Sequence, residues 1–226
     1  MILYLVTLVI ALAIAYLCGS IPVALIVGRA TAGVDIRQHG SGNTGTTNAL
    51  RTLGWKAGLV VFVLDVLKGV AGGLVMIVTL ALIGNQVPVE AQSGVGVDLP
   101  RALASVAAIL GHMFSPFMGF KGGKGVATML GALLVLLPFS ALCALVLFGL
   151  VLLISRIVSV ASIVAVISVP FFTLLFYGHS LTYVIFTFVL AFVVVLAHKK
   201  NIIRLAQGQE PRIALGRKAD KKGSNS

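Results

Sequence analysis

Three stretches of the chain, residues 1–28, 125–154 and 157–197, contain no Asp, Glu, Lys or Arg. Each exceeds the ~20 apolar residues that cross a bilayer. Hydrocarbon offers no water to backbone N–H and C=O groups, so such runs must be helices that close their hydrogen bonds internally. The chain is therefore expected to be an all-α, polytopic membrane protein. No positively charged residue precedes the first run, which makes it a spanning helix rather than a secretory leader. An apolar share of 59% and a mean hydropathy of +1.10 agree and call for no separate soluble domain.

The order of spans follows from the breaks between runs. Helix one covers 1–28, with Gly19-Ser20-Ile21-Pro22 near its far end, where Pro22 removes a backbone bond and a kink or break is expected. Helix two runs from about Leu50 to Ile83. Residues 84–100, with Glu90 and Asp98 and no basic residue, form a loop on the outer side. Helix three follows from about Arg101 to Phe117. As one helix, residues 125–154 would be about 45 Å long at ~1.5 Å per residue. Splitting them at Pro138 gives a short fourth helix and a normal fifth, and returns Arg156 to the side of Lys124. Two more spans flank the turn Tyr177-Gly178-His179-Ser180.

The expected count is seven transmembrane helices, some short or broken, with the N-terminus outside and the C-terminus cytoplasmic. Fifteen of the seventeen Lys and Arg residues then lie inside, Lys68 and Arg101 being the exceptions. That rule and anionic lipid heads account for the net charge of +11, so membrane lipid is an expected partner and nucleic acid is not. Cys18 and Cys143 fall within apolar runs and supply neither a disulfide framework nor a metal spacing. No metal or cofactor is expected. Residues 1–211 read as one membrane domain, and 212–226 as a basic, disordered cytoplasmic tail.

Three polar blocks interrupt this apolar chain. The first, His39 to Arg51, gathers three glycines, four hydroxyls, two amides and two basic groups. Glycines such as Gly42 and Gly45 let backbone N–H groups approach an anion closely, Ser41, Asn43, Thr46, Thr47 and Asn48 add donors, and Arg51 adds a two-pronged cation. That set suits a phosphate, although a plain loop between spans is the competing reading. Thr46 or Thr47 is expected to cap helix two, with Arg51 about one turn inside it. Gly40 to Gly45 also spells G-x-G-x-x-G, but the strand and βαβ unit of a nucleotide fold are missing around it.

The second block, Gly111 to Thr128, sets Lys121 and Lys124 on either side of Gly122-Gly123 directly before an apolar run. Backbone donors and two ammonium groups would converge there at a helix N-terminus, as a second anion cradle. It is not a Walker loop: Met118 replaces the required glycine, and Gly125 stands where Ser or Thr would bind Mg²⁺. His112 is either a hydrogen-bonded core histidine or a catalytic one.

The third block, His198 to Glu210, begins where helix seven leaves the membrane, and a helix would offer His198, Asn201 and Arg204 to one cleft. Lys199 and Lys200 read as lipid-interface residues. Within helix two, Asp65 and Lys68 are three apart and share a face. They are either a structural ion pair or a support for the site's cations.

In order and spacing these blocks resemble the bacterial acyl-phosphate-dependent glycerol-3-phosphate acyltransferases, the PlsY family. The resemblance rests on Ser41-Gly-Asn-Thr-Gly-Thr-Thr-Asn-Ala-Leu-Arg51, on Gly111-His112 with Phe120-Lys-Gly-Gly-Lys-Gly-Val-Ala-Thr128, and on His198-Lys-Lys-Asn-Ile-Ile-Arg-Leu205 with Gly208 and Glu210. Asp65-Val-Leu-Lys68-Gly69 and Gly19-Ser-Ile-Pro22 fit as well, so it extends to Pro211. Thr46 and Lys199-Lys200 depart from the common pattern between motif positions.

The resemblance implies transfer of a fatty acyl group from acyl phosphate to the 1-hydroxyl of sn-glycerol 3-phosphate, giving lysophosphatidic acid and phosphate. It also implies an acyl-phosphate-forming enzyme as upstream supplier, and an active site facing the cytoplasm of a bacterial inner membrane. Absent motifs agree: there is no Gly-x-Ser-x-Gly, and none of the four histidines has Asp five positions later.

Acyl phosphate is already activated, so no covalent nucleophile is expected. Ser41, Lys121 and His198 are the expected catalytic groups, and Ser41, Arg51, Lys121, His198 and Asn201 the acceptor's ligands. Gly42, Asn43, Gly45, Thr46, Thr47, Asn48, Gly122, Gly123 and Lys124 would hold the acyl phosphate. Asp65, Lys68, His112, Thr128, Arg204 and Glu210 would support them. A carrier or flippase for phosphorylated solutes is the alternative, but it predicts polar groups near the midplane and paired repeats, and neither is seen.

Overall fold

The computed structural model describes residues 2–84, 87–89 and 92–213, and all regular structure among them is helical. The helices are α1 (Ile2–Ser20), α2 (Val23–Ala32), α3 (Thr46–Leu53), α4 (Trp55–Ile83), α5 (Val95–Met113), α6 (Val126–Leu136), α7 (Pro138–Ser155), α8 (Val158–Tyr177), α9 (Leu181–Ala197) and α10 (Lys199–Ala206). Five stretches, 2–32, 55–83, 95–118, 138–155 and 158–177, are long and apolar enough to cross a membrane. A sixth arises if α9 and α10, bent by 58°, are taken together, and α6 is apolar but only 11 residues long. A count of seven requires α6 to cross as well.

The break expected at Pro22 separates α1 from α2, and the one at Pro138 separates α6 from α7. Three boundaries differ from expectation. The helix starting near Leu50 is two: Gly54, at φ +90° where other residues are strained, turns α3 into α4. Neither Thr46 nor Thr47 caps α3, because Gly45 is the N-cap and Thr46 already lies in the first turn. The third span begins at Val95, not near Arg101: Asp98 in its first turn suits the helix dipole, and the helix continues through Pro100, which has no N–H to give the Gly96 carbonyl. Of the expected outer loop, Glu90 lies outside the described residues; so does the expected tail from 214 onward.

Glycine decides how closely the helices pack. A Cβ added at Gly19 would overlap the Ala108 carbonyl, and one at Gly111 the Tyr16 carbonyl, so α1 and α5 meet backbone to backbone. The same holds at Gly69 against Thr128 and at Gly131 against Val66, which joins α4 to α6. In hydrocarbon no hydrophobic force drives helices together, and close van der Waals approach at small residues takes its place. The largest core cluster, with Ile109, Met129, Leu133, Phe186 and Leu190, ties α5, α6 and α9 to α7 and α8. Large apolar side chains such as Leu153, Ile154, Phe171 and Phe192 point outward, as lipid-facing residues do.

The two ends of this bundle differ. At one, the Ser180 hydroxyl donates to Asp98 at 2.6 Å and links the α8–α9 turn to the start of α5. At the other, the three polar blocks meet.

Candidate active site

Asn48 shapes the first block. Fully buried, it accepts from the Ser41 N–H at 2.9 Å and donates to the carbonyls of Ile36 at 3.2 Å and His39 at 3.0 Å. Its amide is thus engaged inside the loop, so its part is to fold the phosphate loop rather than to present a free donor. Gly40 and Gly42, at φ +60° and +69°, let the loop turn around it. Ser41 and Gly42 are exposed, and Asn43, Gly45, Thr46 and Thr47 half-buried. The hydroxyls of Thr44 and Thr46 are buried without a hydrogen-bond partner. Thr44 was missed by sequence reasoning, although its hydroxyl within a glycine-bracketed turn was the available signal.

The second block turns from α5 into α6. The Gly123 N–H donates to the His112 carbonyl at 3.2 Å, which brings the Gly122-Gly123 turn back over the end of α5. Lys121 stands exposed on its rim, and Lys124 reaches inward. The Lys124 ammonium donates to the side-chain carbonyl of Asn201 in α10. Burial, with help from Arg204 and Arg51, lowers its pKa to about 8 against the opposing pull of Glu210. The Thr128 hydroxyl, fully buried in the first turn of α6, has no partner.

The third block is organised by Glu210. Its carboxylate accepts from the Ser159 hydroxyl at 2.9 Å, from Asn201 at 2.6 Å and from Arg204 at 2.7 Å, and these donors hold it below the usual carboxylate range against the effect of burial. Asn201 therefore bridges Glu210 and Lys124. His198 marks the bend between α9 and α10, so it and Asn201 do not share one continuous helix as expected. Its Nδ1 meets the Val194 carbonyl at 2.8 Å, an acceptor, which makes Nδ1 the protonated nitrogen and leaves Nε2 a free acceptor. Burial and the nearby Lys124 charge lower the His198 pKa to about 4, so the ring is neutral near pH 7.

Two hydrogen bonds to backbone carbonyls close this end of the bundle. Arg51 donates to the Pro211 carbonyl at 3.3 Å, and the Ile213 N–H to the Arg156 carbonyl at 2.7 Å. Residues 208–213 thereby reach α3 on one side and the α7–α8 junction on the other. Asp65 and Lys68, buried in α4, form an ion pair at 2.8 Å. His112, expected to be hydrogen-bonded if it were a core residue, is buried with Nδ1 unpartnered.

The structure thus gathers Arg51, Lys124, His198, Asn201, Arg204 and Glu210 into one cluster, with the glycine-rich loop leading into α3 and its Arg51. Beginning at Val126, two residues past Lys124, an apolar groove runs along α6 between Phe62, Met129, Leu133, Ala144 and Val166. Converging cations at the mouth of an apolar groove suit an anion carrying a hydrocarbon chain.

Comparison with known proteins agrees with this chemistry. The sequence profile described as glycerol-3-phosphate acyltransferase matches residues 9–208. A glycerol-3-phosphate acyltransferase of Chlorobium phaeobacteroides is 41% identical over 93% of this chain and 98% of its own. One from Pelodictyon phaeoclathratiforme is 39% identical, over 94% and 99%. The crystal structure of PlsY, an integral membrane glycerol 3-phosphate acyltransferase, in its glycerol 3-phosphate form is similar with a TM-score of 0.78 at 36% identity, covering 92% of this chain and 96% of PlsY. Its lysophosphatidic acid form gives 0.76 at 35% identity, over 92% and 95%. A profile spanning most of the chain, relatives matched over nearly their full length and a shared helical fold lead to one conclusion: this multi-pass membrane protein belongs to the glycerol-3-phosphate acyltransferase family.

Proposed function

We propose that this enzyme moves a fatty acyl group from acyl phosphate to the 1-hydroxyl of sn-glycerol 3-phosphate, releasing lysophosphatidic acid and inorganic phosphate. The observation that carries the reading is Lys124: on a glycine turn at the head of an apolar groove, it is bonded to Asn201 and close enough to Arg51 and Arg204 to feel both charges. Two phosphates, one on each substrate, balance such a cluster, and the groove takes the acyl chain. The acyl phosphate sits on Gly122-Gly123-Lys124 with the loop donors Gly42, Asn43, Gly45, Thr46 and Thr47. Ser41, Arg51, Lys121, His198 and Asn201 hold the acceptor.

In the transfer step the acceptor's 1-oxygen attacks the acyl carbonyl, the bond from that carbonyl carbon to the phosphate oxygen breaks, and phosphate leaves. The hydroxyl proton passes to the departing phosphate. His198 Nε2 accepts a hydrogen bond from the hydroxyl and orients it; with a pKa of about 4 the ring is a weaker base than a phosphate dianion, whose pKa is ~6. Binding, alignment and charge neutralisation supply the rate, since the donor is already activated.

The spans are α1, α4, α5, α6, α7, α8 and α9, with the N-terminus outside and the site on the cytoplasmic side of a bacterial inner membrane. The placement of basic residues supports that orientation. Incubating the purified protein with glycerol 3-phosphate and either palmitoyl phosphate or palmitoyl-CoA tests the reading. Lysophosphatidic acid from palmitoyl phosphate alone is expected. Product from the thioester alone, or from neither, overturns it.

A further inference from the structure

The transfer step described above uses neither Asp65 nor His112, yet the two connect the broken first span to the phosphate turn. Lys68 Nζ lies 2.8 Å from Asp65 and donates at 3.1 Å to the Ile21 carbonyl, at the α1–α2 break. His112 Nδ1 is 3.6 Å from the same Asp65 oxygen, too far for a hydrogen bond, and has no other partner. The opposite edge of the ring lies against the turn: a Cβ at Gly123 would overlap His112 Nε2, and one at Gly122 would overlap the His112 carbonyl. Gly123 also donates its N–H to that carbonyl at 3.2 Å. The turn is therefore folded onto both the backbone and the ring of His112, an approach open only to residues without side chains.

We infer that Asp65 and His112 are positioning residues for the anion-binding turn: the Asp65 carboxylate attracts the Nδ1 edge of the His112 ring across 3.6 Å and so biases its orientation, and the ring is the wall against which Gly122-Gly123-Lys124 is set. The inference rests on the proposed role of that turn in holding acyl phosphate. Its alternative is that Asp65 only neutralises Lys68, in which case an apolar pair of similar size would serve as well. The two differ because Asp65 faces His112 as well as Lys68, and because the ring touches the turn next to Lys124. A shift of ~1 Å in a binding group is enough to cost a large factor in productive binding.

Steady-state kinetics of the purified full chain with palmitoyl phosphate and glycerol 3-phosphate provide the test. His112→Ala should raise the KM for palmitoyl phosphate about tenfold while kcat and the acceptor KM stay within about twofold. His112→Gln, whose amide reaches the place of Nε2 but puts nothing at the place of Nδ1, should restore most of that loss. Asp65→Asn should raise the same KM about threefold in the native background and have no further effect in the His112→Gln background.

Additive effects in the Asp65→Asn/His112→Gln pair overturn the inference. So does a native KM in the Asp65→Leu/Lys68→Leu double variant, which would leave charge neutralisation as the whole role. If His112→Ala does not fold, the Asp65→Asn and His112→Gln cycle decides alone. Failure of the wild-type protein to turn over palmitoyl phosphate would instead overturn the reading of the turn itself.

Discussion

Burial, reinforced by Arg204 and Arg51, brings the Lys124 ammonium to about 8, so its charge is present below that pH and lost above it. With such a value ~90% of the unliganded enzyme carries the charge at pH 7, about 10% at pH 9 and roughly 3% at pH 9.5. Because kcat/KM follows the free enzyme, it should fall about 30-fold between pH 7 and pH 9.5 and approach tenfold per pH unit. Both substrates have completed their last phosphate ionisation, near pH 6, and contribute no slope there. At saturating palmitoyl phosphate the bound dianion keeps the ammonium protonated, so the decline in kcat should set in at higher pH.

Phosphate release across this range, corrected for uncatalysed hydrolysis, measures both curves. Lys124→Arg is the control. A guanidinium stays charged beyond pH 12, so the alkaline decline should vanish even though the altered geometry lowers the rate at pH 7. An unchanged decline in Lys124→Arg, or a wild-type profile flat to pH 10, would refute the assignment.

Arg51→Ala should raise the glycerol 3-phosphate KM at least about tenfold with little change in the KM for palmitoyl phosphate, and an unchanged acceptor KM would contradict its role. Glu210→Ala strands the buried Ser159 and Asn201 donors and the partly exposed Arg204, so it should destabilise the protein by about 1–3 kcal/mol, read as a lowered thermal midpoint in detergent. Since its pKa is depressed in the folded protein, the stabilisation from Glu210 is present above the usual carboxylate range and is lost as pH falls from that range through the lowered pKa of the folded state. His198→Ala should retain kcat within about tenfold of wild type; a loss near 10³-fold would make the ring an obligatory base.

The helical fold was legible because uncharged runs permit nothing else, and the breaks at Pro22 and Pro138 were legible because proline leaves a helix one bond short. The bend at His198 was not. No proline or glycine marks it, and α10 is held by the Glu210 carboxylate beyond its end, which captures Asn201 and Arg204. The site's residue types could be listed from the chain, but their division of labour could not. Asn48 resembles a phosphate donor until its three bonds inside the loop are seen, and Thr44 is an ordinary loop residue until its hydroxyl is found buried and unpartnered. Both facts depend on how the loop closes, and short-range pattern carries no record of that closure.

Segment 208–213 bears on how the protein is made. Glu210 anchors α10 to α8, Pro211 engages Arg51, and Ile213 fastens to Arg156. A nascent polypeptide with every apolar helix already delivered to the bilayer therefore still lacks these ties until its final described residues leave the ribosome. Competence should arrive as one late event in biosynthesis, and a chain stopped at Gln207 should insert normally yet remain inert.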